Sequence, residues 1–161
     1  MSWFTRLRAG PTLVFGVFCI MLGAMIGLGT FTFTYAKGTS YFSDDPQACT
    51  NCHLMNEEYD AWMHSSHKSV AVCNSCHMPH NPINKWFTKA LNGFNHSFAF
   101  TTSNFPETIL ITDRNAQIVQ DNCVYCHQEL VAQIYGNHED LDGRRCVSCH
   151  ANVGHANHPT N

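Results

Sequence analysis

The 161 residues include nine Cys and eleven His, against only 13% Asp, Glu, Lys and Arg and 44% apolar residues. That length suits one domain, with room for an appendage. A formal charge of −3 argues against nucleic acid as a partner, since phosphate binding calls for clustered Lys and Arg, and the placement of the apolar residues excludes an ordinary cytosolic enzyme.

Between Ala9 and Ala36 there is no Asp, Glu, Lys, Arg or His, and residues 13–36 are nearly all Leu, Val, Ile, Phe, Met, Gly, Ala and Thr. A bilayer-spanning helix needs about 20 such residues. Arg6 and Arg8 precede the run, while only Lys37 follows it closely, which puts the N-terminus in the cytoplasm. The run is longer than the apolar stretch of a signal peptide, and Thr34-Tyr35-Ala36 fits a small-x-small cleavage site poorly. The expected organisation is a cytoplasmic N-terminus and anchor helix over residues 1–36, with residues 37–161 forming a periplasmic domain. Gly23 and Gly27 make a GxxxG in the span, a weak signal for helix pairing, and Cys19 reads as a small apolar residue.

Residues 37–161 carry seven Lys and Arg against twelve Asp and Glu, and few sustained apolar runs. A domain of this composition buries little by side chains alone, so a covalent or cofactor staple is expected. Its eight Cys fall as Cys49-x-x-Cys52-His53, Cys73-x-x-Cys76-His77, Cys123-x-x-Cys126-His127 and Cys146-x-x-Cys149-His150. The 20 residues between Cys52 and Cys73, and the 19 between Cys126 and Cys146, also suit two zinc ribbons. The His that follows every pair decides against zinc and against a disulfide framework, neither of which needs it. Two thiols three positions apart reach the two vinyl groups of one haem as thioethers, and the next imidazole is then held under the iron. Four c-type haems in 125 residues leave about 31 residues for each. The macrocycles themselves are then the interior, close enough together to exchange electrons. Arg114, Arg144, Arg145 and Lys68 are the expected counter-ions of their propionates.

Seven His lie outside the motifs, more than four irons need. His155, five residues after His150 and just past Gly154, is favoured as an axial ligand of a neighbouring haem. His67, after the periodic Tyr59, Trp62 and Met63, is the other. His158 reads as a solvated side chain, whereas His64, His80 and His138 stay open between exposed, hydrogen-bonded and ligating roles. Met55, two residues after His53, is either a packing residue or a thioether ligand of the first iron.

Asn81-Pro82 signals a helix start. From there Ile83, Phe87, Ala90, Leu91, Phe94 and Phe98 recur at helical spacing beside Trp86. Such a helix packs either on haem or in the membrane interface. Lys85, Lys89, Gly93 and His96 share one stripe of it. Gly93 weakens the helix by about 1 kcal/mol relative to Ala and leaves room for a flat group beside the backbone. An imidazole there is a residue type able to take a proton at ambient pH.

The anchor, the four CxxCH motifs, Met55 after the first, Cys73-Asn-Ser-Cys-His-Met-Pro-His-Asn81 at the second and Lys89-x-x-x-Gly93 after it resemble the NapC/NirT family of membrane-anchored tetrahaem quinol dehydrogenases over nearly the whole chain. Within that family the short length and the Met55 position look most like the small subunits of cytochrome c nitrite reductases. The resemblance implies a mainly α fold, with one transmembrane helix and a small loop-rich multihaem domain of short helices. It implies a first haem held by Met55 instead of His53, beside a menaquinol pocket lined by Lys89. His67 and His155 become distal ligands of other haems, and one haem takes its sixth ligand from the partner. That partner is a periplasmic multihaem catalytic subunit, cytochrome c nitrite reductase, in a hetero-oligomer at the inner membrane. Where the family pattern has an Asp seven residues after the Lys, this chain has His96, as proton acceptor or as ligand of the first iron. Competing readings are a tethered electron relay without a quinol site, a quinol dehydrogenase serving nitrate reductase or another periplasmic oxidoreductase, and a terminal reductase, for which no catalytic cluster is visible.

Overall fold

The structure is a computed structural model that describes residues 10–105, 110–135 and 145–155, except the side chains of His53 and Tyr135. His138, His158, Arg144, Arg6 and Arg8 lie outside the described residues. Five α-helices and several single 3₁₀ turns occur among them, with no strand, so the expected mainly α, loop-rich class holds.

The first helix, α1 (Pro11–Tyr35), starts with Gly10 as N-cap and Pro at its first position, where the missing N–H breaks no helical hydrogen bond. Its 25 residues extend about 37 Å, enough to cross a hydrocarbon layer of about 30 Å. Phe15, Ile20, Met21 and Leu28 are exposed along it, as a helix facing lipid requires. Lys37, in the left-handed region at φ 51°, ends it, and the turn Gly38–Phe42 packs back on it. Contacts group residues through Ser43 as one compact unit and residues from Asp44 as another.

In the second unit, the turn Pro46–Asn51 begins with the Asp45 side chain accepting from the Gln47 N–H at 2.9 Å. The turn His53–Met55 leads into α2 (Asn56–Met63). Trp62 donates its indole N–H to the Ala71 carbonyl at 3.1 Å, closing the loop that carries His67. A short helix, α3 (Cys73–His77), holds the second motif, and α4 (Pro82–Thr101) follows. As its sequence signals, Asn81 caps α4, accepting from the N–H groups of Ile83 and Asn84 at 3.0 and 3.2 Å. The last helix, α5 (Asp113–Tyr135), bends at His127, whose backbone (φ −105°, ψ 20°) leaves the helical region inside the third motif.

The helices are bolted together by polar side chains. Buried Asn122 on α5 donates to the carbonyls of Cys76 and Met78 at 2.7 and 2.9 Å. Asn92 and Asn115 exchange bonds between α4 and α5, and the buried Gln120 side chain accepts from Cys146 N–H at 2.7 Å. Ala116 is the one apolar residue fully buried among the described residues, whereas Thr88, Lys89, Gln120 and Asn122 are buried polar ones. Side chains supply as little interior as the composition suggests.

Candidate functional site

The four motifs adjoin in chain order. The thiol of Cys49 hydrogen-bonds that of Cys73, linking the first motif to the second. Cys76 is in electrostatic reach of Cys126, linking second to third, and Cys123 is in reach of Cys146, linking third to fourth. The hydrogen bond with Cys73 holds the Cys49 thiol down at about 7. The same contact pushes Cys73 up. Burial raises Cys76, and burial followed by its thiol neighbours raises Cys123 to about 11. None of the eight thiols is in a disulfide.

Two His pairs are brought together across long sequence separations. His67 from the α2–α3 loop faces His127 of the third motif, with ring centroids 6.0 Å apart. His155, beyond the fourth motif, faces His77 of the second at 5.9 Å. Each of the two non-motif imidazoles has its Nδ1 committed. That of His67 donates to the Val153 carbonyl at 3.1 Å, and that of His155 lies 2.6 Å from Glu58 Oε2. Burial pushes His77 down, the neighbouring His155 adds to this and Glu58 opposes it. Met55 is half-buried at the start of α2, and His150 is exposed. Of the residues left open, His64 is exposed and bonded through Nδ1 to the Asp60 carbonyl at 2.8 Å. His80 stacks on Tyr125 at 4.1 Å. Among the expected counter-ions, Arg114 donates to Thr88 Oγ1 at 3.0 Å and Arg145 to Asp113 at 3.2 Å.

On α4 the stripe divides. Lys85 and Lys89 converge on Asp44, with Nζ to carboxylate distances of 2.9 and 3.7 Å. Asn74, inside the second motif, donates to the same carboxylate at 2.5 Å. Lys89 is almost wholly buried, 5% exposed, and its Nζ lies 5.3 Å above the Trp86 ring. Its charge also reaches the Cys49 thiol, which places it beside the first motif. His96 is exposed two turns further along and Gly93 is half-buried; no contact of His96 with the Lys89 cluster accompanies them. Asp44 is the member that sequence reasoning missed. Its only signal was an acidic pair closely following the apolar run, and nothing in spacing joins it to residues 41 and 45 positions away.

Residues 11–160 match the NapC/NirT cytochrome c family, N-terminal region. Among similar proteins, the cytochrome c-type protein NrfH of Wolinella succinogenes is 39% identical over 146 residues, covering 84% of this chain and 82% of that one. The cytochrome c nitrite reductase subunit NrfH of Nitratidesulfovibrio vulgaris is 30% identical over 137 residues, with coverage of 84% and 82%. In the crystal structure of the cytochrome c nitrite reductase NrfHA complex bound to the HQNO inhibitor, one chain superposes with a TM-score of 0.59 at 27% identity, covering 83% of this chain and 88% of that one. The quoted motifs, the α-helical architecture and these likenesses agree: the chain belongs to the NapC/NirT cytochrome c family.

Proposed function

We propose that the chain is a membrane-anchored quinol dehydrogenase, which oxidises menaquinol and passes the electrons through four c-type haems to a periplasmic multihaem partner, cytochrome c nitrite reductase. The observation that carries this reading is the gathering of the CxxCH motifs by α5, whose Asn122 donates to the Cys76 carbonyl and whose Gln120 accepts from the Cys146 N–H, with the buried Lys89 cation on α4. Likeness to the NrfHA complex supports the choice of partner.

The residues present fit haem. Two imidazole nitrogens bound to opposite sides of one metal, each about 2 Å away, put their ring centres roughly 6 Å apart, as in the pairs His77 with His155 and His127 with His67. A ligating imidazole commonly gives its other N–H to a carbonyl or carboxylate, as His67 does, and His155 has the Glu58 carboxylate beside its Nδ1. In this reading Cys49, Cys52, Cys73, Cys76, Cys123, Cys126, Cys146 and Cys149 hold the groups as thioethers. Met55, with His53 as the alternative, would hold the first iron and His150 the fourth, and one of the four would take a ligand from the partner.

When bound, haem supplies acceptance of single electrons and no acceptance of protons. Oxidation of one quinol releases two electrons and two protons, so the protons must pass to side chains and then to water outside. Lys89 offers a fixed cation to a quinol oxygen, and exposed His96 on the same stripe is the proton acceptor. Lys89→Gln in the purified full chain should slow reduction by a menaquinol analogue by about two orders of magnitude, while dithionite still reduces all four haems. Wild-type quinol rates in that variant would overturn the quinol site. Electron uptake from a protein donor alone would leave a tethered relay.

A further inference from the structure

Lys89 lies almost entirely out of water, and a buried ammonium without an anion is driven toward its neutral form or out of its site. An anion is supplied from another part of the chain. Asp44 stands before the first motif and receives three groups at once: Lys85 from one turn of α4, Lys89 from the next and the Asn74 amide from within the second motif. The two Lys are four residues apart on one face, so a single carboxylate can pair with both, accepting from Lys85 on one oxygen and lying 3.7 Å from Lys89 on the other. The carboxylate itself is about half exposed, and so sits at the rim of the buried cation.

Resting on the reading of Lys89 as part of a quinol site, we infer that Asp44 is a positioning residue for that site: its carboxylate holds the Lys89 ammonium beside the first motif as a hydrogen-bond donor to the substrate oxygen. Lys89 is thereby a fixed cation and not the proton acceptor, a role that falls to another group. Lys85 shares the clamp, sets the approach of α4 to residue 44, and carries no direct substrate contact. The substrate class that fits is a hydroquinone, whose oxygen accepts a hydrogen bond from the fixed ammonium already in the bound ground state, so that the contact acts mainly on binding.

The test uses the full-length protein with its reductase partner, in detergent or liposomes, with a soluble menaquinol analogue as donor and nitrite as terminal acceptor. Asp44→Asn keeps the shape and removes the charge; Asp44→Glu keeps the charge. The expected result for Asp44→Asn is a KM for the quinol raised about tenfold and weaker inhibition by HQNO, with kcat changed less than threefold. Haem content and the rate with a viologen donor, which bypasses the quinol, stay unchanged. Asp44→Glu restores most of the KM. An unaltered KM in Asp44→Asn overturns the inference, and so does an equal loss of quinol and viologen rates, which marks a purely structural role. Lys89→Gln is assayed in parallel. If that variant oxidises quinol normally, the quinol reading fails; if it is inactive while Asp44→Asn is normal, only the role of Asp44 fails.

Discussion

Glu58 and the Val153 carbonyl give two similarly placed imidazoles different characters. His155 has a carboxylate 2.6 Å from its Nδ1, whereas His67 has a backbone carbonyl at 3.1 Å. If His155 holds a haem iron as proposed, a carboxylate beside it makes the ligating nitrogen more basic, which favours the oxidised iron. On that tetrahaem proposal Glu58→Gln should move one of four midpoint potentials to a more positive value and leave three in place, as a potentiometric titration reads directly. Asp44 has a separate pH signature. Lys85 first, then Asn74 and the charge of Lys89, hold its carboxyl below the ordinary 3.8, with burial opposing them. A carboxylate with a depressed folded pKa contributes stability above its ordinary value and loses it as the pH falls through the depressed one. The stability gap between wild type and Asp44→Asn should be constant from neutral pH down to about 4 and close below that, measured by thermal denaturation. The four CxxCH motifs were legible in the sequence because their spacing is local. Glu58 and Asp44 were not, because each acts on residues 30 or more positions away.

Helix α4 shows which part of an element can be read from sequence. Asn81 and Pro82 mark its start, and the apolar period through Phe98 marks its length. Asn81→Ala removes two capping hydrogen bonds and should cost about 1 kcal/mol, seen as a lowered melting temperature with an unchanged haem spectrum. Burial does not follow the apolar period. Ile83, Phe87, Phe94 and Phe98 are exposed in the polypeptide, while the residues packed away are Thr88 and Lys89, which meet Arg114 and Asp44. Periodicity reports a stripe's chemistry; which stripe the protein covers depends on the partners that other segments bring. In α5 the bend at His127 was equally out of reach, because nothing in Cys-Val-Tyr-Cys-His breaks a helix by propensity alone.

At the scale of the molecule, an apolar helix long enough to cross a bilayer and a polar domain after it make an anchored cytochrome. Arg6 and Arg8 on the N-terminal side fix the expected direction. Alkaline phosphatase, which is active only outside the cytoplasm, should be active when fused after Asn161 and inactive when fused before Met1; the reverse would invert the topology. This organisation was legible because composition changes abruptly near residue 36. The order of the motifs in space was not, since it rests on Asn122, Gln120 and the two His pairs.

The polar interior, with Ala116 as its one fully buried apolar side chain among the described residues, bears on how the protein is made. With four haems as proposed, a domain that buries so little through its side chains does not fold first and receive them afterwards; attachment and compaction are one event. Export must therefore deliver an extended, reduced chain to the attachment machinery. On that proposal a molecule short of even one haem would be an unfinished fold, and supply of the prosthetic group would set the abundance of the anchored protein.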